Sequence, residues 1–97
     1  MTVYVDALGL NGWQLHGRPV QSCHMFCDGE DHEELHAIAQ TIGLKRAWLR
    51  SGGGRPHYHL TPGKRVLAIA AGAVPVGRSL AVRIWRTQQT RIRENRP

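Results

Sequence analysis

The sequence predicts an α/β fold: a small mixed β-sheet of about four to five short strands with two helices packed on it. Three observations carry this expectation. Short β-branched and aromatic runs (TVYVD, VQSCHMFCD, HYHL and AVPV) alternate with two stretches of helical spacing. Both helical stretches carry start signals at their first residues. One run, VQSCHMFCD, is apolar on both of its faces, as a central strand must be. At 97 residues the chain makes one domain with a modest core. Its 41% apolar content excludes global disorder.

The elements are taken in chain order. TVYVD, residues 2–6, is a short buried strand. ALGLNGWQLHGRP, 7–19, is Gly-rich and reads as a loop carrying Trp13 and His16. In VQSCHMFCD, 20–28, alternation puts Val20, Ser22, His24 and Phe26 on one face and Cys23, Met25 and Cys27 on the other. Residues 31–43 form a helix: Asp31 caps it, Glu34 completes a capping box, and Gly43 stops it. Leu35, Ile38, Ala39 and Ile42 are its buried stripe. LKRAWLR, 44–50, reads as a short strand and SGGGRP, 51–56, as a loop. After the strand HYHL at 57–60, Thr61 and Pro62 open a second helix as N-cap and first helical residue. Val66, Leu67, Ile69 and Ala70 supply its apolar face and Gly72 ends it. AVPV, 73–76, is the last strand, and Pro75 suits an edge.

Charge divides the chain. Residues 78–97 hold six arginines against Glu94 alone, whereas residues 1–77 hold seven Lys/Arg against six Asp/Glu. The organisation expected is a single α/β domain over 1–77 and a basic tail over 78–97, partly helical or disordered. Leu80, Ile84 and Trp85 are the tail's weak helical anchors. Such a tail attracts polyanions by counterion release, or serves as a solubilising terminus or a cationic helix on a partner subunit. No basic, apolar leader opens the chain, and the longest near-apolar stretch, 66–76, is too short to span a membrane. Cys23 and Cys27 lie four apart on one extended segment, which disfavours a disulfide and suits a reducing cytoplasm.

Four motifs bear on chemistry. His32-Glu33-Glu34-Leu35-His36 fits the zinc-protease string. That chemistry needs both histidines mid-helix and a third ligand, yet His32 falls in the first turn and Glu33 faces water. The acids more simply favour the positive end of the helix dipole. Asp6 and Asp28 end strands, where carboxylates with a nearby His suit Mg²⁺ or Mn²⁺; alternatively they start a turn and cap a helix. His57 and His59 share one face of their strand, with Tyr58 on the other. With His24 and His36 they form a transition-metal site or an acid/base pair, or are ordinary surface filler. The two cysteines offer thiolates, with no second pair to close a structural zinc site. Finally, Lys64 and Arg65 in a helical first turn, with the loop 51–54 between Arg50 and Arg55, outline an anion pocket. Their alternative is to extend into water.

Several blocks taken together are similar to an uncharacterised family of short bacterial and phage proteins with a domain-of-unknown-function label. They are MTVYVD, CHM-x-x-D at 23–28, ELHAIAQTIGL at 34–44, Trp48, and HYHLTPGKRVLAIAAGAV at 57–74. The resemblance covers about residues 1–76 and implies no activity. It matches Asp6, His24, Asp28, His36, Trp48, His57, Tyr58, Lys64 and Arg65. His32 lies outside the pattern, and the family pattern has an acid at the place of His59. The loop 7–19 and the basic tail stand as additions of this chain.

The functional expectation is a cytoplasmic domain binding a phosphate-bearing ligand, nucleic acid or nucleotide, with phosphoester hydrolysis as its activity. His36 or His57 serves as the acid/base group, with Tyr58 beside them. Lys64 and Arg65, with Arg55, hold phosphate, and Asp6, His24 and Asp28 hold a divalent metal ion. Two alternatives stand beside it: a non-catalytic nucleic-acid binder driven by the tail, and a homodimeric module burying Trp13, Trp48 and Trp85.

Overall fold

The computed structural model describes residues 2–29, 32–50 and 56–94, with side chains as far as Gln88. Its framework is a mixed sheet of five strands carrying three helices. The strands are β1 (Val3–Val5), β2 (Gly9–Leu15), β3 (Arg18–Cys27), β4 (Tyr58–Leu60) and β5 (Val74–Pro75). The helices are α1 (Glu33–Thr41), α2 (Pro62–Ala70) and α3 (Arg78–Glu94). β3 is the hub, pairing antiparallel with β1, β2 and β4. β5 runs parallel to β1 and pairs with no other described strand, so Pro75 costs the sheet no inner hydrogen bond.

The register explains the layers. Met25 lies opposite Val5 on one side and Tyr58 on the other, so β1 and β4 flank β3. Side chains then alternate across three strands at once. Val3, Val5, Cys23, Met25, Cys27, Tyr58 and Leu60 face one way and form the core with Leu35 and Ala39 of α1, Ile42 just after it and Ala68 of α2. Tyr4 and Phe26 face the other way, their rings stacked 5.8 Å apart. α3 covers this second face: Trp85 lies 4.7 Å from Phe26, Ala81 and Gln88 are buried, and Gln88 Nε2 donates to the Gly29 carbonyl. Residues 78–88, read as the start of a basic tail, are thus a wall of the fold.

Three local expectations are corrected. Residues 7–19 are no loop: Leu15 pairs with Arg18 across a two-residue turn in which His16 (φ 53°) and Gly17 (φ 76°) both take left-handed backbone. That is the geometry of a tight hairpin turn. Gly9 and Gly12 break the alternation that would have marked the strand, and a register irregularity lies between Leu10 and Gln14. Residues 44–50 are no strand: Arg46–Trp48 is a single 3₁₀ turn, and only Arg50 bridges to His57. In α2 the inward face is Ala68 and Ile69, with the stems of Lys64 and Arg65, while Val66 and Leu67 are exposed. Two faces fit helical spacing there, and the more apolar letters lie on the outer one.

The helix ends follow capping rules. The Thr61 hydroxyl accepts from the Lys64 N–H and Pro62 opens α2. His32 occupies the N-cap position of α1, and Asp31 lies outside the described residues. At the other end of α1, Gly43 turns with φ 88° and the Lys64 ammonium donates to the Ile42 carbonyl. A cation there meets the negative end of the helix dipole. A Cβ on Gly43 would sit 3.2 Å from Lys64 Nζ. Gly43→Ala is therefore expected to lower the unfolding free energy by about 1–2 kcal/mol in urea titration. Gly63→Ala, inside α2 with open space around it, is expected to raise it by up to about 1 kcal/mol.

Candidate metal centre

On the α3 side of the sheet, the paired registers bring three histidines together. His24 lies opposite His59 across β3 and β4. The backbone N–H of Asp6 donates to the His24 carbonyl, so His24 directs its hydrogen bonds toward β1 and not toward β4. His24 and His59 are then a non-hydrogen-bonded pair, the kind whose side chains stand closest. Their ring centroids are 4.9 Å apart, and His57 lies 5.2 Å from each. One nitrogen from each ring can be chosen so that all three lie within 4.8 Å of one another. All three residues are half-buried.

Asp6 fixes the cluster. Its carboxylate accepts from the His24 backbone N–H at 2.6 Å and meets His24 Nδ1 at 2.8 Å. With Nδ1–H donated to the carboxylate, the His24 Nε2 lone pair is left for a metal. Arg65 in turn donates from Nε to the Asp6 carbonyl at 3.0 Å, holding the acid from beneath. Burial first, then the like charges of His24, His57 and Arg50, push His59 down from 6.5 to about 4. His59 is therefore neutral at physiological pH, as a metal ligand must be.

The other predicted site residues go elsewhere. Asp28 ends β3, which is antiparallel to β1, so it sits at the opposite end from Asp6. It accepts from the Thr2 N–H and the Tyr4 hydroxyl. Four residues of strand separate it from His24, roughly 13 Å. The expectation that strand ends gather the two acids fails because it holds for parallel neighbours. His36 and Tyr58 lie on the helix side, bonded to each other at 2.5 Å. Tyr58 is fully buried, and His36 satisfies its hydroxyl. Lys64 and Arg65, expected at an anion pocket, donate to the Ile42 and Asp6 carbonyls. Arg55 and the loop 51–54 lie outside the described residues. Cys23 and Cys27 form no disulfide and are buried on the core face, away from the imidazoles, and burial pushes Cys23 up to about 12. The protease string dissolves: His32 precedes α1 and Glu33 pairs with Arg46 at 2.7 Å.

Residues 3–88 match the model of a family described as "Protein of unknown function (DUF4031)". The chain belongs to that family. No curated protein and no solved structure matches it. The family's range takes in β2 and α3 as far as Gln88, beyond the blocks at 1–76 that carry the sequence resemblance. The Asp6–His24 clamp, His57, His59 and Trp85 all lie within it. No described helix is long and apolar enough to cross a membrane.

Two further arginines border the cluster: Arg78, which the sequence did not single out, and Arg50, which it placed beside the expected anion pocket. Arg78 shares a cavity of about 190 Å³ with Asp6, His24 and Trp85. Arg50 shares another of about 190 Å³ with Asn11, Trp13 and His59. Trp85 lies tilted against Phe26 and stands 5.9 Å from His24. A signal for His59 was present in the alternation of HYHL; none marked Arg78, because a helix start fixes it there.

The His36–Tyr58 pair has a consequence for pH. Burial, followed by the charge of Arg46, lowers the His36 pKa, against a smaller upward pull from Glu33. The unfolded chain takes up this proton near 6.5 and the folded chain only at lower pH. Stability from this group is full above about pH 6.5 and declines as the pH falls below it. Urea midpoints measured from pH 8 to 5 are expected to fall less steeply in His36→Gln than in the parent chain.

Proposed function

We propose that this domain binds a divalent transition metal through His24, His57 and His59 and uses it to cleave a phosphoester in a nucleic acid or nucleotide. The convergence of the three imidazoles, one of them clamped by a carboxylate, carries the reading. Imidazole sets favour ions such as Zn²⁺ over Mg²⁺, which prefers oxygen. Three protein ligands leave a coordination position open, as in working zinc sites. When bound, such an ion supplies a Lewis acid for a phosphoryl oxygen and acidifies water to near neutral pH.

The residues of the chain supply the rest. Asp6 orients His24. Arg50 and Arg78 stand on two sides of the cluster, where an anionic ester is drawn in. In the reaction the water oxygen bonds to phosphorus, the ester P–O bond breaks, and the water proton passes to the leaving oxygen. Buried thiols outside any disulfide suit a cytoplasmic setting. A second reading, a non-catalytic nucleic-acid binder, draws on the exposed Arg78, Arg83 and Arg86 of α3. Removing α3 would not separate the two, because it would uncover Phe26.

Calorimetric titration of chelator-treated protein is expected to find one Zn²⁺ per chain. Asp6→Asn is expected to weaken it by about 10–100-fold, and His57→Ala combined with His59→Ala to abolish it. Zinc at 100 times its Kd is expected to add about 2.7 kcal/mol to the unfolding free energy. Phosphodiester turnover is expected to fall with the same substitutions. Unchanged zinc binding in the double variant would overturn the proposal. Zinc binding without turnover, with salt-sensitive nucleic-acid binding intact, would favour the second reading.

A further inference from the structure

Beside the histidine cluster, at the outer edge of β4, lies a cavity of about 510 Å³. That volume is within the range of small-ligand sites. Its walls include Trp13, Trp48, Arg50, Tyr58, His59 and Lys64. Two of these are large flat rings left open in a folded domain: Trp48 is 52% exposed and Trp13 39%. The Lys45 ammonium sits over the Trp48 ring, 5.7 Å from its centroid. Trp13 meets His59 edge-on at 5.9 Å. Exposed indoles stack planar rings, and base–aromatic stacking does not depend on which base is present.

The strand edge adds polar groups. Arg50 and His57 exchange both backbone hydrogen bonds. β4 pairs with β3 on its other side, through Tyr58 opposite Met25. By the alternation of antiparallel ladders, the N–H and C=O of His59 then point outward past the Arg50–His57 bridge, where the 3₁₀ turn replaces a strand partner. A donor and an acceptor on one residue of this cavity's wall match the edge of a nucleobase. Arg50, which also lines the smaller cavity at Trp13 and His59, supplies positive charge where the two cavities meet. His59 belongs to both the cavity and the imidazole cluster.

We propose that this cavity is a nucleobase subsite: the base stacks on Trp48 and Trp13, and its attached phosphate reaches Arg50 and the histidine cluster. The fate of the bound nucleotide rests on the phosphoester reading, though the stacking itself needs no metal. A nucleotide, free or as one unit of a single strand, satisfies this chemistry. A sugar phosphate, which has no ring to stack, does not.

Tryptophan fluorescence titration of the full chain, with and without zinc, tests it. The probes are AMP, CMP, ribose 5-phosphate, adenosine and a short single-stranded oligonucleotide. AMP and CMP are expected to quench and saturate, and ribose 5-phosphate to do neither. Calorimetry with Trp48→Ala should show nucleotide binding weakened by at least about tenfold, with Trp48→Phe restoring most of it. Arg50→Ala should weaken AMP more than adenosine. Tighter binding of the oligonucleotide than of AMP assigns the base to a strand, and the reverse assigns it to a free nucleotide; each supports the subsite. Chelator treatment should remove zinc and keep adenosine binding, so failure of the metal centre shows separately. Equal binding of AMP and ribose 5-phosphate, or unchanged AMP affinity in Trp48→Ala, would overturn the proposal.

Discussion

The molecule depends on the register of β3 against its two neighbours. Because Met25 faces Val5 and Tyr58 at once, every side chain from Cys23 to Cys27 is committed to a face by strands on both sides. A slip of one residue would send sulfur and methionine to the α3 side and drive His24 into the core. The Asp6 carboxylate secures that register at the site itself by taking both the backbone N–H and the ring of His24. Arg65 extends the constraint into α2. The histidine cluster is therefore a by-product of the same pairing that builds the core.

α3 makes this arrangement stable in so short a chain. A sheet buried on one face only would leave Tyr4, Phe26 and His24 in water. Trp85, Ala81 and Gln88 close that side, and the aromatic contact with Phe26 adds roughly 0.5–1.5 kcal/mol beyond the area it buries. The helix is basic outside and apolar inside, so charge alone carried no sign of its structural duty.

What the sequence disclosed was mostly local. The centrality of β3, the α1 stripe, the Thr61–Pro62 start and the face shared by His57 and His59 all follow from spacing within a few residues. The misjudged parts depend on partners far away. β2 is a strand because β3 is long enough to pair it, despite the glycines at 9 and 12. Asp28 parts from Asp6 because β1 and β3 run in opposite directions, which no short window reveals. Lys64 and Arg65 looked like free cations, since nothing nearby in the chain marks the Ile42 and Asp6 carbonyls that receive them. His36 looked available for the same reason: its partner Tyr58 is 22 residues away.

The pleat of β3 also acts as a partition. Two thiols project to one side and an imidazole between them projects to the other, separated by a single thickness of backbone. An ion seated among the nitrogens would meet no sulfur donor from this strand, and oxidants reaching the open cleft would not find Cys23 or Cys27 there. The chain thus keeps thiols and an imidazole within one pentapeptide while holding them apart on opposite sides of the sheet.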